Sequence, residues 1–140
     1  MDEFELRIEE LFLDGYHCSQ IMLMLSLEMR GEENPELIRA LGGLGVGMFC
    51  ERTCGTLTGA CCLIGSFGAK GAAGDVPALP YRQMCRSLVE WFEREFGSIE
   101  CREIVGSDRA SIMQKCPALL AATFSRCLEM LEDQGVDAFS

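Results

Sequence analysis

An all-α fold of five to seven helices around one core follows from three features of the sequence. Apolar residues recur with helical spacing in nearly every segment, and proline, glycine and capping residues punctuate those segments. No stretch alternates apolar and polar residues with the period of two that a half-buried strand needs. The chain has 140 residues, 49% of them hydrophobic and 24% charged, which suits one globular domain over residues 1–140 and excludes wholesale disorder.

Each helix can be justified in turn. Phe4, Ile8, Leu11 and Phe12 form one stripe, closed by Gly15. Cys18 to Met29 is apolar on almost every face and reads as a central buried helix that Gly31 stops. Asn34 and Pro35 are a cap and a first helical residue for a short helix to about Leu41. GGLGVG, at 42–47, lacks both the strand–turn–helix setting of a dinucleotide fingerprint and a phosphate-binding lysine, so it reads as a loop or close-packing segment. Thr53 is expected to cap a helix from Cys54 to about Ser66, whose small residues Gly55, Gly59 and Ala60 let another backbone approach. A Gly/Ala-rich loop over 65–77 is expected to be mobile. Pro80 opens a helix with Tyr81, Met84, Cys85, Leu88, Trp91, Phe92 and Phe96 on one stripe, ended by Gly97. Ser98 is expected to cap a short helix, Ile99 to Val105, and Pro117 to start the last one, with Leu120, Phe124, Cys127, Leu128 and Leu131 inward.

Charge narrows the partners. Twelve Lys and Arg against 22 Asp and Glu leave a net charge of −10, which repels phosphate backbones and anionic lipid. Nucleic acid and membrane surfaces are therefore not expected as partners, and no apolar run is long enough to span a bilayer. The start, MDEFELRIEE, carries no secretory pattern, and a cytoplasmic location is expected. The small-residue and central helices suit a homodimer interface.

Nine cysteines are the outlier, and in a reducing compartment an odd number argues for free thiols over a disulfide framework. Cys85 and Cys127 fall inside apolar stripes and read as small buried hydrophobes. Cys61 and Cys62 lie in the small-residue helix, where packing is the simpler role, and Cys50 has no assigned role. The other four share a setting. Cys18 follows His17 in the first turn of the buried helix, Cys54 follows the Thr53 cap, Cys101 comes three residues after Ser98, and Cys116 precedes Pro117. At a helix start, free N–H groups and the helix dipole favour a thiolate, the form that binds metal and attacks disulfides. Flanking His17, Arg52, Arg102 and Lys115 do not discriminate, since Arg86 and Arg126 flank the other pair equally well.

Four stretches, HCSQIML with Cys18, CGTLTGACCLIG with Cys54, FGSIECREIVG with Cys101 and KCPALLAATF with Cys116, resemble the redox-active family named for a C-GCAxxG-C-C pattern. Members are domains of about this length with four characteristic cysteines, the second in a CGAxxG motif. Thr56 departs from that motif and adds a hydroxyl that could bond a sulfur or crowd it. The family is also similar to the non-haem domain of split-Soret cytochromes c, where such cysteines are proposed iron–sulfur ligands. No CxxCH is present, so covalent haem attachment is not supported.

Three functions stay open at this level. Cys18, Cys54, Cys101 and Cys116 could ligate a [2Fe–2S] or [4Fe–4S] cluster, or a tetrahedral zinc, for electron transfer. They could instead be redox thiols in metal-free dithiol–disulfide chemistry, with Cys54 as nucleophile. Or the chain is a helical interaction domain with packing cysteines. His17 is the single histidine, so triads and multi-histidine sites are excluded, and it reads as a neighbour of a helix start. Glu9/Glu10 and Glu32/Glu33 read as solvated charge, and Met22, Met24 and Met29 as core filler.

Overall fold

The computed structural model describes residues 3–106 and 108–138 and is all-α. Seven α-helices are described: α1 (Glu3–Leu13), α2 (Cys18–Met29), α3 (Pro35–Leu41), α4 (Gly55–Gly68), α5 (Tyr81–Phe96), α6 (Cys101–Ile104) and α7 (Arg109–Asp133). Among the described residues the only strand-like pairing is one antiparallel bridge between Thr53 and Glu100.

Helix α2 is the axis of the fold, as its all-round apolar sequence requires. Ile21, Met22 and Leu23 are wholly buried, and α1, α3, α4 and α7 all pack against it. Ile8 and Leu11 of α1, Leu57, Leu63 and Ile64 of α4, Leu88 and Phe92 of α5, and Leu120, Phe124 and Leu131 of α7 complete one core. Each such side chain contributes about 1.5–3 kcal/mol by leaving water.

The closest crossing is α2 on α4, and it depends on glycine. A Cβ on Gly59 would meet the Ser19 carbonyl oxygen at 2.9 Å and Met22 Cβ at 3.2 Å. One turn earlier, a Cβ on Gly55 would meet Cys18 Sγ at 2.5 Å and the Leu44 carbonyl at 2.8 Å. The glycines of 42–47 also serve close packing, since Gly45 sits on the His17 side chain and Gly42 on Gln20.

Several boundaries differ from the sequence expectation. Cys54, not Thr53, is the N-cap of α4, because Thr53 is drawn into the bridge with Glu100. The α4 helix continues to Gly68. The short helix is only Cys101–Ile104, because Ser98 spends its hydroxyl on the Glu100 N–H at 3.0 Å and the Glu103 carboxylate at 2.6 Å. The last helix does not start at Pro117. Asp108 caps it by accepting from the Ser111 N–H at 2.8 Å, and Pro117 lies inside. Proline there removes the N–H that would bond the Met113 carbonyl, a tolerated loss in a helix otherwise anchored by the core.

Candidate functional site

Cys18, Cys54, Cys101 and Cys116 line one cavity of about 220 Å³, together with Phe12, Tyr16, His17, Val46, Val105, Ile112 and Met113. Four different elements deliver the four thiols. Cys18 is the first residue of α2, whose opening turn is tied to α3. There Ser19 Oγ donates to the Leu41 carbonyl at 2.7 Å and Gln20 Nε2 to the Ile38 carbonyl at 3.1 Å. Gly55 then lets Cys18 come beside Cys54, the cap of α4.

A short backbone ladder sets Cys54 next to Cys101. The Cys54 N–H donates to the Ile99 carbonyl at 2.8 Å, and the Cys101 N–H to the Arg52 carbonyl at 2.6 Å. Arg102 extends this tie by donating to the carbonyls of Cys50 and Glu51 at 3.1 and 3.3 Å. Cys116 enters from the second turn of α7 and is therefore not at a helix start, contrary to expectation, because that helix begins at Arg109.

The segment 46–51, which contributes Val46 to the cavity lining, has unusual backbone. Val46, Met48, Phe49 and Glu51 all have positive φ, between 48° and 59°, and Gly47 joins them at 57°. A Cβ on Gly47 would lie 2.5 Å from the Arg52 nitrogen, so only glycine fits. Phe49 packs edge-on against His17 at 5.0 Å, while Cys50 is exposed and its Sγ donates to the Gly47 carbonyl at 3.4 Å.

Burial governs the acid–base state of the thiols. Cys54, Cys101 and Cys116 are buried, and no described cysteine is in a disulfide. Loss of solvation raises the Cys18 thiol above its ordinary value, although N–H groups of Val46 and Ser19 and the Thr56 hydroxyl pull the other way. Cys54 is pushed up to about 11, chiefly by burial and then by Cys18, against the amides of Thr56 and Leu57. Cys116 is pushed up to about 12 by burial and by the charges of Cys18, Cys54 and Cys101. Cys101 is raised by burial, Cys18 and Glu51. Helix-start amides therefore act on Cys18 and Cys54 but not on Cys101 or Cys116. Desolvation exceeds the pull of the amides there, and all four thiols are raised above their ordinary value.

The hydroxyl of Thr56 is wholly buried and has no hydrogen-bond partner while the thiols are neutral. It stands near enough to Cys18 and Cys54 to stabilise either thiolate. Among the described residues, no three or more His, Cys, Asp or Glu side chains are gathered closely enough to hold a metal ion. Cys127 is wholly buried as expected, whereas Cys85 is only half-buried.

The described residues thus form an all-helical domain with four thiols lining one cavity. The chain is a member of the family described as "Putative redox-active protein (C_GCAxxG_C_C)", whose model matches residues 16–130. No curated protein and no solved structure matches it. No described helix is long and apolar enough to cross a membrane.

Proposed function

We propose that this chain is an electron-transfer protein whose Cys18, Cys54, Cys101 and Cys116 hold an iron–sulfur cluster. The observation that carries the proposal is the convergence of four soft donors on one cavity of about 220 Å³. The four ligands are spread over two irons in a [2Fe–2S] group and over four in a [4Fe–4S] group, so as a set they stand farther apart than those of one tetrahedral ion. The four sulfurs that share this cavity are the all-thiolate donor set that such a cluster takes. When bound, such a group supplies one-electron transfer.

The chain's own residues would prepare the site. Four thiolates in one cavity repel one another, as the raising of Cys54 and Cys101 by Cys18 and of Cys116 by all three indicates, and cationic iron would offset that repulsion. The Val46 and Ser19 amides and the Thr56 hydroxyl are donors toward sulfur, a known lever on potential. Phe12, Val105, Ile112 and Met113 give the cavity apolar lining beside the sulfurs.

Purification without oxygen tests the proposal. Iron, acid-labile sulfide and visible absorption are expected together, and replacing any one of the four cysteines with Ser should lower all three. A protein that stays colourless and iron-free after reconstitution with ferrous iron and sulfide would overturn it.

The second reading, a metal-free dithiol, is favoured by the closeness of Cys18 and Cys54 across Gly55. It is weakened by the state of its nucleophile. With Cys54 near 11, only about one part in ten thousand is thiolate at neutral pH. A homodimer belongs to the same proposal, but on another surface, because α2 covers the Gly59 face of α4 within the chain.

A further inference from the structure

The remaining cysteines are not scattered. Cys61 and Cys62 on α4, Cys85 on α5 and Cys127 on α7 meet where these three helices pack. Cys85 Sγ donates to the Cys61 carbonyl at 3.9 Å, and the two thiols are near enough for each to shift the other's acidity. Cys62 and Cys127 lie close enough for charge on Cys85 to be felt at both. Cys61 is seven residues beyond Cys54, about 10 Å along the helix by its rise, and lines no part of the cavity described above.

Exposure divides the group further. Cys61, Cys62 and Cys85 are half-buried, whereas Cys127 is sealed beneath them. Of the reachable thiols, Cys61 and Cys85 are the two in hydrogen-bonding contact across a helix–helix interface.

We propose that Cys61 and Cys85 form a second redox site, a dithiol that closes to a disulfide by exchange with a small-molecule disulfide. Cys85 attacks one sulfur of the incoming disulfide, forming a mixed disulfide and expelling one thiolate. Cys61 then attacks the Cys85 sulfur, forming the Cys61–Cys85 bond and expelling the second thiolate. The two protons lost by the cysteines pass to the two leaving groups, so the pair is oxidised by two electrons and the reagent is reduced by two. Cys85 goes first because it is the less deeply buried of the two, although burial raises both thiols above their ordinary value, Cys61 up to about 12.

The site is independent of iron, so its test does not depend on the cluster proposal. Reduced full-length protein is incubated with oxidised glutathione, trapped with N-ethylmaleimide, digested and analysed by mass spectrometry. The peptide carrying Cys61 is expected to be joined to the peptide carrying Cys85, two hydrogens lighter than the pair, and to be released by dithiothreitol. The Cys62→Ala variant should keep the link, and Cys61→Ala should lose it. If Cys61→Ala does not fold, fragment ions of the wild-type cross-link assign the partner among Cys54, Cys61 and Cys62. Full alkylation of Cys61 and Cys85 after the treatment, or a link from Cys85 to any other cysteine, would overturn the proposal.

Discussion

Replacing Gly59 and Gly65 with alanine, one at a time, applies the same chemical change to one helix and should move stability in opposite directions. Both residues lie inside α4, where alanine is favoured over glycine by about 1 kcal/mol. At Gly65 nothing lies within 4 Å of the new methyl, so that gain should appear nearly in full. At Gly59 the methyl would lie 2.9 Å from the Ser19 carbonyl oxygen, 3.1 Å from Ser19 Cα and 3.2 Å from Met22 Cβ. These atoms belong to the buried backbone and stem of α2 and cannot swing aside. Overpacking of that kind costs roughly 1–3 kcal/mol, and the upper half of the range applies where backbone must move. Gly59→Ala should therefore be less stable than wild type by about 1–2 kcal/mol, and the two variants should differ by about 2–3 kcal/mol. Urea unfolding with an unchanged slope measures both. Because α2 begins with Cys18, Gly59→Ala should also reduce iron loading relative to Gly65→Ala. A Gly59→Ala protein as stable as wild type would refute the role given to the close crossing.

Other expectations follow from the site and from α7. Thr56→Val removes a buried hydroxyl that has no partner, so the reduced, metal-free protein should gain about 1 kcal/mol in urea unfolding. The same change should raise the alkylation pKa of Cys18 and Cys54, which lose a thiolate donor, and a downward shift would contradict that assignment. Pro117→Ala should stabilise the protein by roughly 1–3 kcal/mol by restoring a hydrogen bond to the Met113 carbonyl, whereas a proline at a first helical position would give no such gain. The reduced, metal-free protein should lose stability as pH rises. Its buried thiols have folded values above the ordinary 9.0, so their stabilisation is complete below about 9 and is lost toward about 11 for Cys54 and 12 for Cys116. Flat stability between pH 8 and 11, measured by denaturant midpoint, would show that the thiols are hydrated.

Legibility in the sequence tracked the range of the interaction. The limits of α2 are readable because His17, Gly31 and an unbroken apolar run act locally, and the close approach at Gly59 is readable from residue size. The start of α7 was hidden by Pro117, whose strong preference for a first turn masks the Asp108 cap nine residues earlier. The ladder joining Arg52–Cys54 to Ile99–Cys101 pairs irregular segments far apart in the chain and leaves no periodic trace. The ionisation of the thiols was misjudged for a related reason, because helix-start amides are a local signal whereas burial depends on α1, α6 and α7 closing over the sulfurs. The second group of thiols joins α4, α5 and α7, and each of its members resembles ordinary core in its own stripe.

The inverted backbone between Val46 and Glu51 sets how an enclosed centre can be reached. Val46, Met48, Phe49 and Glu51 each forfeit about 1–2 kcal/mol relative to a right-handed conformation, and that deficit is recovered when the segment lets go. Detachment of this one rim demands far less energy than melting the helical scaffold, so amide exchange should be fastest here among the parts that enclose the sulfurs. Assembly or repair of the interior can then proceed through a transient gap while the frame stays folded.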